Sequence, residues 1–191
     1  MARQARAAAG SQPASRRTVL EGRSVAHDGA SVVPASPAAR LSLRAPQDSV
    51  AALSRALGLD LPTRPKTSAS TGTRAALWLG PDEWLVIDEA GADLAGACAG
   101  VDALHSAVDI SHRNAAIQVS GAAAEAALNA GCPQDLSTAA FPVGACSRTV
   151  LGKIEIVLWR TGPQDFRVEC WRSFADYAFT FLAAAARDAA A

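Results

Sequence analysis

One pattern of strands and helices runs twice through this 191-residue chain, and that duplication limits the folds open to it. In the first half, Leu41-Ser42-Leu43 alternates like a short strand. A helix follows with Val50, Leu53 and Leu57 on one face, and Gly58 stops it. Strands at 75–79 and 83–87 then flank the tight turn Gly80-Pro81-Asp82 as a hairpin. An Ala-rich helix over 92–99 and a strand over 104–110 complete the half. The second half repeats the order. A strand at 115–119 leads to a helix opened by Ser120-Gly121, with Glu125 outside and Leu128 inside. Strands at 146–151 and 153–159, the turn Gly162-Pro163, an alternating strand at 166–170 and a last helix follow. Leu53 and Leu128 hold matching helix positions 75 residues apart. Trp78 and Trp159, 81 apart, both stand just before a Gly-Pro turn.

A repeat of this size is one supersecondary unit, and it needs its neighbour to bury its apolar face. Strand–helix–strand–strand–helix is the split βαβ pattern. The expected fold is therefore α+β: two tandem ferredoxin-like repeats, 39–111 and 112–191, packed as one domain. The alternative is an unrelated pair of α+β domains. Residues 1–38 carry Gly, Ser, Pro and Ala without periodicity and read as a disordered tail and linker. Between Gly58 and Gly72, with Pro62 and Pro65, the chain reads as a loop. In the strand at 166–170, Phe166, Val168 and Cys170 alternate with Arg167 and Glu169, the pattern of a half-buried strand. The last helix is the clearest element. Ser173 and Asp176 have capping-box spacing, and Phe174, Tyr177, Ala178, Phe181, Leu182 and Ala185 form one apolar stripe.

Chemical signals are sparse. Lys and Arg number 18, as do Asp and Glu, so the basic surplus of a nucleic-acid binder is missing, and the neutral balance suits a subunit of an assembly. Cys98, Cys132, Cys146 and Cys170 form no CxxC pair, which leaves zinc and redox sites unsupported and points to reduced, buried thiols in a cytoplasmic protein. No apolar run reaches the ~18–20 residues of a membrane span. Arg3, Arg6, Arg16 and Arg17 precede any acid, as in a transit peptide, but a tail is the simpler reading. Neither a dinucleotide GxGxxG nor a P-loop occurs. His27 lies in the tail, and His105 and His112 lie beside one strand. Asp109 with His112 resembles the base half of a triad, but no nucleophile elbow accompanies it, so a structural polar cluster is expected. Asp82-Glu83 and Asp88-Glu89 read as solvated turn and strand-end acids, and Cys132 and Cys146 lack a basic neighbour at helical spacing. No catalytic, cofactor-binding or metal-binding residue is therefore expected on this chain. Trp78, Trp84, Trp159 and Trp171 all lie on the paired hairpins. Core packing is their default role, and any that face outward suit a subunit contact.

Two runs carry a family resemblance. Leu77-Trp78-Leu79-Gly80-Pro81-Asp82-Glu83-Trp84-Leu85-Val86-Ile87 resembles the LWLGPDEWLL segment of sarcosine oxidase gamma subunits. Ala107-Val108-Asp109-Ile110-Ser111-His112 with Val119-Ser120-Gly121 resembles the second block of that family, and Phe141-Pro142, Leu158-Trp159-Arg160 and Ser173-Phe174-Ala175-Asp176-Tyr177 continue it in order, over about residues 40–188. More distantly, the chain is similar to the N-terminal domain of the folate-binding aminomethyltransferase of glycine cleavage. That transferase places its acid in a Gly-Gly-x-x-Asp-Asp strand. The matching stretch here is Leu151-Gly152-Lys153-Ile154-Glu155-Ile156, with Ile154 and Glu155 in place of the two Asp. The resemblance implies a non-catalytic gamma subunit, docked mainly on an alpha chain beside beta and delta chains, in an oxidase that demethylates sarcosine to glycine. It further implies that FAD, FMN, NAD, zinc and tetrahydrofolate sit on the other subunits. A stand-alone folate-binding one-carbon transferase is the alternative that the Asp109–His112 block leaves open.

Overall fold

The computed structural model describes residues 18–189. In chain order they form β1 (Val25–His27), β2 (Ala30–Pro34), β3 (Ala39–Arg44), α1 (Val50–Leu57), β4 (Ser68–Thr71), β5 (Arg74–Gly80), β6 (Glu83–Asp88), α2 (Leu94–Ala99), β7 (Ser106–Asp109), β8 (Asn114–Ser120), α3 (Ala124–Asn129), β9 (Cys146–Leu151), β10 (Ile154–Gly162), β11 (Asp165–Trp171) and α4 (Ala175–Ala189). A five-stranded sheet runs β4-β5-β6-β3-β7 and a six-stranded sheet runs β1-β2-β8-β11-β10-β9, with every pairing antiparallel.

The apolar pattern stacks these elements into four layers. Val50, Leu53 and Leu57 of α1, with Leu94 and Cys98 of α2, pack on Leu41, Leu43, Ala76, Trp84 and Val86 of the first sheet. Gly58 ends α1 in the left-handed region (φ 62°), where its lack of Cβ costs least. Leu128 of α3 and Ala178, Phe179 and Leu182 of α4 pack on Ile117, Val119, Ile156, Leu158, Phe166 and Val168 of the second sheet. The inner faces meet through Leu77, Leu85, Ile87, Ile110, Cys146 and Val157, with Leu79 and Trp159 at the margin. Both sheets are thus covered on both sides. Each such aliphatic side chain contributes about 1.5–3 kcal/mol by leaving water.

The duplication is visible in the strand order, and it contains an exchange. β4, β5, β6 and β3 correspond to β9, β10, β11 and β8. Beyond β3 the first sheet is extended by β7, which follows in the chain; beyond β8 the second is extended by β2, which comes from the N-terminal side. Residues 25–34 are therefore not tail. The expected disordered 1–38 segment is corrected there, while residues 1–17 lie outside the described residues. Asp28-Gly29 is the two-residue turn of this hairpin, with Gly29 at φ 81°, and Asp-Gly is a strong hairpin signal even between strands this short. The hairpin is fastened where Ala123 N–H donates to Gly29 O at 2.7 Å, beside Gly121 at φ 110°.

Other expectations shift by one residue or one strand. Irregular register falls between Trp78 and Gly80 in one hairpin and between Arg160 and Gly162 in the other, so the repeat offset here is 82. Trp78 corresponds to Arg160, not to Trp159. A one-residue slip turns a strand side chain to the other face, so Trp78 lies on the helix side while Trp159 lies between the sheets. β4 occupies part of the presumed loop, because Ser68-Ala69-Ser70-Thr71 has no apolar alternation to reveal it. The helix after Ser120-Gly121 starts only at Ala124. Along α4 the buried positions are Ala175, Ala178, Phe179, Leu182, Ala185 and Ala186. Phe174 falls in the 3-10 turn Arg172–Phe174, which has no side-chain cap, and Asp176 instead pairs with Arg23. Ala175, Ala178, Ala185 and Ala186 with Phe179 and Leu182 therefore seat α4 on the sheet, while Phe174 and Tyr177 of the expected stripe face outward.

Candidate functional site

The inner face of β11 carries the main surprise. Arg167 and Glu169 are not on a solvated side; they are sealed between the two sheets. Glu169, with its side chain 1% exposed, accepts from Arg40 Nε at 2.7 Å and from Arg167 Nε at 2.8 Å, and both guanidinium groups are only 3% exposed. Arg40 also donates to Ala38 O at 3.1 Å, and Arg167 Nη1 to Glu89 at 2.8 Å. Arg167 Nη2 is buried without a hydrogen-bond partner among the described residues. The acceptors are charge-assisted and close, which is the condition for holding such groups out of water. One repeat supplies Arg40 and Glu89, and the other Arg167 and Glu169, so the network ties the sheets together.

A second buried cation, Arg160, organises the loop between α3 and β9. It stacks 4.7 Å over Phe166 and donates to the carbonyls of Leu136 (2.8 Å), Phe141 (3.0 Å) and Pro163 (2.7 Å). The cationic plane takes the position that Trp78 holds against Trp84 in the first repeat.

The residues singled out from the sequence are scattered. His105 Nδ1 lies 2.7 Å from Ala103 O. Asp109 accepts from the Ser111 backbone N–H at 2.7 Å, and Ser111 Oγ accepts from Arg40 N at 2.8 Å, so this block finishes strand ends. Asp82 faces Arg44 at 3.4 Å. The hydrogen bond from Arg148 to Glu83 at 2.5 Å holds the Glu83 carboxyl below its ordinary value against the effect of its burial. Asp88 corrects its expectation as a solvated acid: it is buried. Burial pushes its pKa up, but the Arg74 bond at 2.8 Å and the Ala90 N–H outweigh that and leave it lowered. Glu89 spans to Arg167. Cys132 is buried 3.9 Å from Thr149 Oγ1. Cys146 donates to Thr67 O and its thiol is pushed up to about 12 by burial. Such a thiol is a poor nucleophile at neutral pH. All four cysteines are free and buried. Trp84 is buried with its Nε1 on Pro62 O at 2.7 Å, Trp159 donates to Ser68 Oγ at 3.0 Å, and Trp171 alone of the four is exposed.

The whole chain, measured against known proteins, matches along most of its length. The model of the sarcosine oxidase gamma subunit family matches residues 44–188. This chain belongs to that family. A gamma subunit of sarcosine oxidase from Corynebacterium sp. (strain P-1) is 38% identical over 69% of this chain and 66% of its own length. One from an Arthrobacter species is 42% identical over 62% and 60%. The chain thus spans about two thirds or less of these two gamma subunits. Among solved structures, a chain of the heterotetrameric sarcosine oxidase from Corynebacterium sp. U-96 has a TM-score of 0.82 at 31% identity, covering 92% of this chain and 97% of that one. The glycine cleavage aminomethyltransferase of Bartonella henselae has a TM-score of 0.61 at 14% identity over 86% of this chain and 50% of its own, which is a likeness of fold.

The residues that give this chain its family pattern are structural in their contacts. Leu77 to Ile87 make the β5–β6 hairpin, whose side chains alternate between the α1/α2 layer and the inter-sheet layer. Ile154 is buried in the core that α3 and α4 cover, and Glu155 faces Arg148 at 3.7 Å. Sequence reasoning missed Arg40, Arg167 and Glu169, because a charged residue alternating in a strand looks the same whether its face meets water or a second sheet.

Proposed function

We propose that this chain is the non-catalytic gamma subunit of a heterotetrameric sarcosine oxidase. In this role it is a rigid support that docks chiefly on the alpha chain while partner subunits carry out oxidative demethylation of sarcosine to glycine. The observation that carries this is the near end-to-end match to one chain of the heterotetrameric oxidase, at 97% coverage of that chain. The side-chain inventory supports it: His105, Asp109, Asp88, Glu83 and Cys146, singled out as candidates, are engaged in backbone contacts, ion pairs or the core. FAD, FMN, NAD, zinc and tetrahydrofolate then belong to the other subunits, and the complex works in the cytoplasm. Co-expression with alpha, beta and delta chains tests this. The expected result is an equimolar four-chain complex that oxidises sarcosine and falls apart when this chain is omitted. Turnover of sarcosine by the isolated chain, or a fully stable and active complex without it, would refute the assignment.

A further inference from the structure

The exposed aromatics of this fold are gathered in one place. Among the described residues, the exposed aromatic side chains are Trp171, Phe174 and Tyr177. The Trp171 and Phe174 rings stack at 5.9 Å with planes 14° apart, and Tyr177, about one helical turn after Phe174, lies against Phe181 and accepts from the Lys153 N–H at 3.2 Å. Val19 and the cations Arg113 and Arg172 line the same hollow as Trp171. Trp171 is exposed for a geometric reason. It is the last residue of β11, on the inner face that buries Arg167 and Glu169, and it is 45% exposed. Its position is nevertheless firm. It pairs with Asn114, Arg172 N–H donates to Arg113 O at 2.7 Å, and the Arg113 guanidinium lies 5.4 Å over its ring.

We infer that this aromatic edge is where a partner subunit docks, and that the partner presents an apolar anchor flanked by carboxylates. The inference rests on the reading of the chain as a subunit. Stacked Trp and Phe with Tyr and Arg is the composition of an interface hot spot, and rings already held in place lose little freedom on binding. The charge at the rim selects the occupant. Arg113 and Arg172 have no carboxylate partner among the described residues, whereas Asp176 in the same hollow is engaged by Arg23. A second copy related by a two-fold axis would bring these cations against their own equivalents. The chain's own N-terminal segment has Arg3, Arg6, Arg16 and Arg17 and no acid before Glu21, so its charge does not complement these cations. A separate chain with acidic groups around an apolar side chain satisfies both features.

The experiment co-expresses the full set of subunits with wild type, the double variant W171A/F174A, R113E, and V108S on the exposed edge strand of the other sheet as control. The double variant should keep the thermal midpoint of the isolated full chain and lose at least about tenfold in its retention by the complex. R113E should weaken retention in a way that added salt partly relieves, and V108S should behave as wild type. Wild-type retention of the double variant overturns the inference while leaving the subunit assignment intact. Failure of wild type itself to co-purify overturns both. Self-association of the isolated chain that W171A/F174A abolishes, or solvent access to Trp171 that rises on removing residues 1–17, identifies another occupant and overturns it as well.

Discussion

Removing the Glu169 carboxylate is the sharpest perturbation of this fold. The Glu169→Ala change deletes the acceptor of two hydrogen bonds at 2.7 and 2.8 Å and leaves two guanidinium groups, each 3% exposed, without their shared counter-charge. Arg40 keeps only Ala38 O and Arg167 keeps only Glu89, while Arg167 Nη2 already has no acceptor among the described residues. Breaking one member of a buried ionic cluster costs about 3–5 kcal/mol, a large share of the ~5–15 kcal/mol that holds a domain together. For a chain of this size that corresponds to a midpoint lower by roughly 6–20 °C. The companion variant R40M/R167L/E169L replaces all three by apolar side chains of similar bulk. Because it removes the charges as well as their attraction, it should lie within about 1 kcal/mol of wild type or above it. Urea and thermal unfolding of the full chain measure both. A loss below about 1 kcal/mol for E169A, or a triple variant as unstable as E169A, would show that desolvation of these cations is not what governs the inner layer.

Three further outcomes follow from other parts of the fold. The Arg160→Lys change keeps the charge but not the fork that reaches three carbonyls, so it should cost about 2–4 kcal/mol by denaturation and raise proteolytic cleavage within 134–145. Asp88 and Glu83 both have lowered folded-state values, so their contribution is complete above the ordinary carboxylate range of about 4 and is lost as pH falls through the lowered values. The D88N variant should accordingly lose stability at neutral pH and show a flatter decline of midpoint on acidification than wild type. Gly121→Ala places a Cβ against the Gly29 carbonyl at a φ of 110°, so it should destabilise by about 1–3 kcal/mol and speed amide exchange in β1 and β2 before that in β10.

What the residues disclosed on their own depended on how many neighbours their role involves. Val50, Leu53, Leu57 and Gly58 declared a helix, its buried face and its end, because those depend on spacing within one turn or two. The Gly-Pro hairpins and the duplicated order were equally local. β4 stayed hidden because Ser68–Thr71 is a strand only through its pairing with β5. Arg167 and Glu169 were misplaced because no local pattern states that a second sheet lies above them. The β1–β2 hairpin did leave a trace, Asp28-Gly29, but its short strands gain their stability from β8, some 85 residues later in the chain. Trp171 stood apart from the other three tryptophans only once the packing showed it to be the exposed one.

The exchange of β2 for a strand following α4 has a consequence for how the molecule is made. As the polypeptide leaves the ribosome, residues 25–34 emerge early, yet their docking site on β8 does not exist until residue 120 is clear, and that sheet is complete only when β9 to β11 have been translated. The first repeat, 39–109, has every strand it needs much sooner. The middle of the chain can therefore consolidate before its beginning, which joins its sheet across the longest strand-to-strand closure among the described residues.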